Sequence, residues 1–372
     1  MAETSKPSRY LPNELLTYIL RSCGPREQAV LCRTSKGFRA IVQGSLYEHI
    51  KLGSPVQAES FSRTILKGDQ KYSALIKDLK IVIISSFNSN YDSKSFITLL
   101  NLVLQRLKIL ESLRISLEIA DKSYLHLALS DCTFPNLRTF HFGQTGEISA
   151  PGVLQFLKRH PSLKNLSIDT DEYMHPIVDH PDYSDDVLVL AELESYSGPL
   201  NFLKFFAKKA SSLSSVLIKL KVKNNPASPA TIPVGQLGAL EKIPGMGRGV
   251  SLAFETSASF SRILQWTSAA LPKLHSLAVY SRNGDALRVR TGPGVSQEAV
   301  DLITSLFARF QALQKLIYND SPTFKLPRSP LNAAEDAKAL GKACRSLRDI
   351  RIYGSHFIRK DAEGWVLQEG GS

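Results

Sequence analysis

The chain has 372 residues, 43% hydrophobic and 22% charged, the composition of a folded protein with room for two or three ordinary domains or for one small domain and a long array. No stretch approaches about 18 consecutive apolar residues and the opening MAETSKPSRY is polar, so neither a membrane span nor a secretory signal is expected, and the cytoplasm or nucleus is the expected compartment. A net charge of +12 favours acidic partners, but the densest basic groups, Lys208-Lys209 and Lys219, Lys221 and Lys223, are short. The charge therefore reads as a solvated surface, and nucleic-acid binding would rest on charge alone. Cys23, Cys32, Cys132 and Cys344 lie far apart with no C-x-x-C pair, which argues against a zinc module or a disulfide framework and for reduced, mostly buried thiols.

The first structured segment is Leu11 to Leu52. Pro12 suits the first turn of a helix, where a missing N–H costs no bond and a fixed φ is already helical. Leu11, Leu15 and Ile19 recur every four residues, and Leu16 and Leu20 repeat that spacing one step round, giving one wide apolar stripe. Gly24-Pro25 stops this helix. Phe38, Ile41, Val42, Ser45 and Leu46 then draw a second helical face that could cover part of the first, leaving the Leu11-Pro12 end exposed.

The Leu11-Pro12-x-Glu14-Leu15-Leu16 opening, the Ile19-Leu20 pair, the Gly24-Pro25 break and the later Phe38 and Leu46-Tyr47 positions together resemble an F-box. Cys23 stands where that family more often has Leu, and Phe38 where it often has Trp; both replacements remain apolar. The resemblance implies a small helical unit over residues 1–52 that docks to the Skp-type adaptor of a cullin-RING (SCF) ubiquitin ligase. It further implies that Leu11, Pro12, Leu15, Ile19 and Leu20 make that contact.

After a linker at 53–75, a pattern of Leu-x-x-apolar-x-apolar returns along the chain. It opens loosely at Ile76/Leu79/Ile81, is clear at Leu110/Leu113/Ile115, Leu137/Phe140/Phe142 and Leu163/Leu166/Ile168, and degrades at Leu193/Tyr196/Gly198 and Leu213/Val216/Ile218. Clean copies close the series at Leu274/Leu277/Val279, Leu313/Leu316/Tyr318 and Leu347/Ile350/Ile352, with one worn copy near Leu252 and Phe254. The last two apolar positions, two residues apart, lie on one face of a short strand, and the first Leu turns into the same core. Upstream stretches at 93–108, 149–160, 198–210, 257–271, 296–310 and 332–346 carry helical spacing, and Asn332 with Glu335 has the spacing of a capping box.

Alternating helices and strands mean parallel strands joined by helical crossovers, and a tandem series of them makes a curved solenoid with strands inside and helices outside. The array resembles irregular leucine-rich repeats of the kind carried by fungal-type F-box proteins. First leucines at 110, 137, 163, 193 and 213 follow at intervals of 27, 26, 30 and 20 residues, and the Asn that standard repeats place after the strand is largely missing. The expected fold class is α/β: a helical F-box, an irregular leucine-rich-repeat-like solenoid over 76–353, and a C-terminal tail at 354–372.

Two segments break the period. Residues 169–186, DTDEYMHPIVDHPDYSDD, form an acidic island in a basic protein. His175 and His180 with Asp179 and Asp182 match no usual zinc or calcium spacing, and Pro176 and Pro181 point to an extended loop, so no metal is expected there. Residues 222–249 are rich in Pro and Gly; Gly245, Gly247 and Gly249 lack the Lys-Ser/Thr of a P-loop and the spacing of a dinucleotide site. There is no G-x-S-x-G elbow and no H-E-x-x-H, and the histidines fall in unrelated contexts. His141 alternates with Phe140 and Phe142, which places it on the opposite strand face.

The expected function follows from the resemblance and the array together. It is a non-catalytic substrate receptor: the F-box docks to the Skp-type adaptor, the array holds a client protein, and no cofactor is required. Client contact is expected at Asp179, Asp182, Asp185 and Asp186, because insertions on a repeat array sit where recognition loops sit. The alternative is a repeat scaffold that binds partners without driving ubiquitination.

Overall fold

The computed structural model describes residues 12–68, 70–83, 92–117, 128–129, 131–144, 150–170, 188–203, 205–206, 210–220, 240, 243, 251–256, 260–281, 297–320, 330–352, 355–360 and 364–368. The chain divides into two compact units, Met1–Leu137 and Arg138–Ser372. Among the described residues no helix is long and apolar enough to cross a membrane.

The first unit opens with three helices, α1 (Asn13–Ser22), α2 (Pro25–Thr34) and α3 (Lys36–Glu48). Pro12 occupies the N-cap position of α1. The Gly24-Pro25 break ends α1 and also starts α2, with Gly24 at the N-cap and Pro25 in the first turn, so α2 is a helix that the sequence pattern did not reveal. Ser35 caps α3, its hydroxyl accepting from the backbone N–H of Gly37 at 3.1 Å. Strand β1 (His49–Leu52) follows directly and pairs in parallel with β2 (Asp78–Ile83), which pairs in parallel with β3 (Ser112–Leu117).

The stretch 53–75 corrects the expectation of a linker: it holds α4 (Pro55–Lys67), capped by Ser54, and the single turn α5 (Gln70–Ser73). Ala58, Ser62 and Ile65 of α4 are buried. The guanidinium of Arg106 donates to the carbonyls of Ile65 at 3.0 Å and Leu66 at 2.8 Å, satisfying acceptors that the end of α4 leaves open. Between β2 and β3 runs α6 (Ser93–Leu104), capped by Asp92, which accepts from the N–H groups of Lys94 and Ser95. These bonds to the charged form hold the exposed Asp92 carboxyl below its ordinary range, the Ser95 hydroxyl contributing most.

In the second unit, parallel strands follow one another in sequence order: β4 (Thr139–Gln144), β5 (Asn165–Thr170), β6 (Ser195–Gly198), β7 (Ser215–Leu220), β8 (Ser251–Thr256), β9 (Ser276–Ser281), β10 (Lys315–Asp320) and β11 (Asp349–Ile352). Their registers align the repeated motif without slippage. Phe140, Leu166, Tyr196, Val216, Leu252, Leu277, Leu316 and Ile350 form one buried row across the strands, and Phe142 through Ile352 form the next. Each carbonyl just before a strand binds the following repeat. Arg138, Lys164, Glu194, His275 and Gln314 each accept two N–H groups from the start of the next strand, at 2.8–3.1 Å.

Helices α7 (Ala150–Lys158), α8 (Leu200–Leu203), α9 (Phe260–Ala270), α10 (Gln297–Phe307) and α11 (Pro330–Ala343) lie between strands. Ring contacts join them to the buried strand face: Phe156 of α7 lies 4.6 Å from Phe140, and Phe260 of α9 lies 4.7 Å from Tyr318. Among the described residues the stretch 198–210 supplies the single turn of α8. Helix α11 begins at Pro330, two residues before Asn332, so the proposed capping box sits inside the helix rather than at its start.

The expected C-terminal tail contains two strands, β12 (Ser355–Lys360) and β13 (Gly364–Leu367), that turn antiparallel onto β11. A Cβ added at Gly341 in α11 would overlap the Trp365 indole of β13, so the missing side chain makes room for that contact. All four cysteines are free; Cys132 and Cys344 are buried, whereas Cys23 and Cys32 remain half-exposed.

Candidate docking face on the first helix

Helix α1 divides its leucines between two faces. Leu20 is 5% exposed and, with Ile41 and Val42 of α3, lines a cavity of about 220 Å³. Leu15 and Ile19, four residues apart, are 51% and 48% exposed, and Tyr18 beside them is 75% exposed. Pro12, three residues before Leu15, is exposed as well. Pro12, Leu15, Tyr18 and Ile19 thus form one outward apolar stripe, because positions three and four apart share a helix face. Leu20 faces the other way, and Leu11 lies outside the described residues.

The inward face is held by hydrogen bonds as well as packing. The Gln28 side chain is buried, and its Nε2 donates to the carbonyl of Leu20 at 2.8 Å and of Cys23 at 3.1 Å. A residue of α2 therefore satisfies the open carbonyls at the end of α1. Arg39 Nε of α3 donates to Cys32 O at 3.1 Å and ties α2 to α3. Tyr47 lies 4.9 Å from Tyr72 of α5; burial first, then the neighbouring Tyr72 phenol, pushes its hydroxyl pKa up. Lys77 Nζ donates to Glu48 Oε1 at 2.9 Å and joins the end of α3 to the strand that follows α5.

The three helices cover little of their own apolar surface. Among their described side chains, Leu20, Gln28 and Val42 are buried. Leu16, Leu31, Phe38, Ile41 and Leu46 are only half-buried, and Val30 is exposed together with the α1 stripe. Contiguous uncovered apolar residues of this kind mark an interaction surface.

Asp179, Asp182, Asp185 and Asp186, with His175 and His180, lie outside the described residues, as do Gly245, Gly247 and Gly249. Among the described residues no group of His, Cys, Asp and Glu could hold a metal ion. His141 sits half-buried on the strand face opposite Phe140 and Phe142.

No curated protein matches the chain. Among solved structures, a crystal structure of a Bacteroides fragilis protein is similar over 82% of this chain and 74% of its own, with 14% identity and a TM-score of 0.42. The family model described as the F-box domain matches residues 10–47, the span that folds here as α1, α2 and nearly all of α3. Residues 10–47 of this chain are an F-box domain.

Proposed function

We propose that the chain is the substrate receptor of an SCF-type cullin-RING ubiquitin ligase, acting in the cytoplasm or nucleus. The observation that carries this reading is the F-box domain at 10–47 together with the uncovered stripe Pro12, Leu15, Tyr18 and Ile19 on its first helix. The stripe docks to the Skp-type adaptor, and Leu20 supports it from the inside. The tandem parallel strands form an irregular leucine-rich-repeat-like solenoid that holds the client. The chain contributes no reacting group, and its effect on ubiquitin transfer is proximity.

Replacing both Leu15 and Ile19 by Asp is expected to abolish capture of a purified Skp-type adaptor while leaving the circular dichroism of the chain unchanged. Full adaptor binding by that variant would overturn the reading. Recovery of the adaptor without a cullin would instead mark the chain as a scaffold.

A further inference from the structure

The sheet of the first unit carries an unassigned row of charge on its open face. Parallel pairing sets Lys51 of β1 opposite Lys80 of β2, and Lys80 opposite Arg114 of β3. The alternate positions, Leu52, Leu79, Ile81, Leu113 and Ile115, are buried, so the three cations share the other face. Strands lie about 4.8 Å apart, and the row spans roughly 10 Å. Like charges directly opposite one another disfavour pairing. Slipping one strand by a residue would separate them, but it would turn that strand's buried side chains into water. The repulsion is fixed by the core.

Two other cations of this unit do meet carboxylates. Lys77 meets Glu48 at 2.9 Å and Arg63 meets Glu59 at 2.6 Å. Among the described residues Lys51, Lys80 and Arg114 have no ion-pair partner. Asp78, on the same face, lies in the neighbouring row, with a carboxylate oxygen 3.7 Å from His49 Nδ1.

We propose that the Lys51–Lys80–Arg114 row docks an acidic stretch of a client protein. The row's span of roughly 10 Å matches the alternate side chains of a short extended run of Asp or Glu, which stand about 6.6 Å apart on one face. The Arg114 fork adds paired hydrogen bonds to one carboxylate. Single-stranded nucleic acid fits less well, because its binding surfaces offer aromatic rings for base stacking. The remaining open-face positions here are His49, Asp78, Val82, Ser112 and Ser116. This inference rests on the client-receptor reading and places a contact, of opposite sign to the acidic 169–186 stretch of sequence, on the unit that contains the F-box.

The test uses the full chain, a fluorescent peptide of six glutamates, its glutamine counterpart and a single-stranded oligonucleotide of equal charge. The glutamate peptide is expected to bind in preference to both others, and less tightly as salt rises. Lys51→Gln with Lys80→Gln and Arg114→Gln should weaken it about tenfold, the worth of three exposed pairs. Lys36→Gln with Lys67→Gln and Lys71→Gln, which removes the same charge from helices, should leave it within about twofold. Arg114→Gln alone should show a loss of a few fold, which keeps the test available if the triple variant does not fold. No binding of the glutamate peptide, or equal loss in both triple variants, overturns the proposal. Tighter oligonucleotide binding through the same three residues overturns the choice of occupant. Adaptor capture by the parent chain, measured alongside, reports failure of the receptor reading separately.

Discussion

His160, just after α7, is buried with its ring 4.1 Å from Phe156, and its Nδ1–H donates to the Phe156 carbonyl at 2.7 Å. Burial is the largest cause that lowers its pKa from 6.5 to about 4. The native state therefore refuses a proton that the unfolded chain accepts, so its stabilising contribution is whole above pH 6.5 and falls away between 6.5 and about 4. Urea unfolding of the second unit's sheet should show about 2 kcal/mol less stability at pH 5 than at pH 7 from this group, and His160→Asn should remove that difference. An unchanged pH dependence in the variant would assign the effect elsewhere. Gly198 shows the same local logic in steric form. It stands where the flanking repeats place Ile168 and Ile218 because a Cβ there would come within 2.7 Å of the Tyr196 hydroxyl and 3.0 Å of the Ile168 carbonyl. The Tyr196 hydroxyl, which donates to Pro199 O at 2.7 Å, has taken the space. A copy that reads as degraded in sequence is therefore filled in three dimensions.

At the scale of one element, α1 separates two roles that periodicity alone merged into one stripe. Leu20→Ala should cost about 2–5 kcal/mol in denaturant unfolding of the first unit, since it removes a buried side chain. Leu15→Ala, at a half-exposed position, should cost within about 0.5 kcal/mol and act on adaptor affinity instead. Equal stability losses in the two variants would contradict the division of faces. The apolar spacing made α1 and α3 legible. Helix α2 was not legible, because Gly-Pro serves equally as the stop of one helix and the start of the next, and Gln28, its key buried residue, is polar. Helix α4 escaped for a related reason: Pro55 and the polar residues of its outer face look like a connector until Ala58 and Ile65 meet their neighbours.

Across the whole molecule, charge clusters of both signs occur. The 169–186 island is acidic, whereas the open face of β1–β3 is basic. Neutralising Asp179, Asp182, Asp185 and Asp186 should remove at least one basic client from affinity-purified complexes and leave adaptor recovery unchanged, with the lost partner being one whose binding weakens as salt rises. An interactome indifferent to those four changes would return the island to a solvated spacer. The strand repeats were legible almost completely. Each apolar pair at positions i and i+2 became a buried pair on one strand face, since only one face meets the helices.

What the sequence determined by itself is thus the helical head, its F-box resemblance and the order and inward face of the parallel strands, because periodicity and motif spacing are properties of neighbours along the chain. What only the tertiary structure decided is which leucines of α1 face outward, how α2 completes the head, that α4 packs against α6 and β1, and that Lys51, Lys80 and Arg114 stand side by side. These three cations are 29 and 34 residues apart in sequence. Their adjacency depends on strand register, which the buried side chains on the opposite face select.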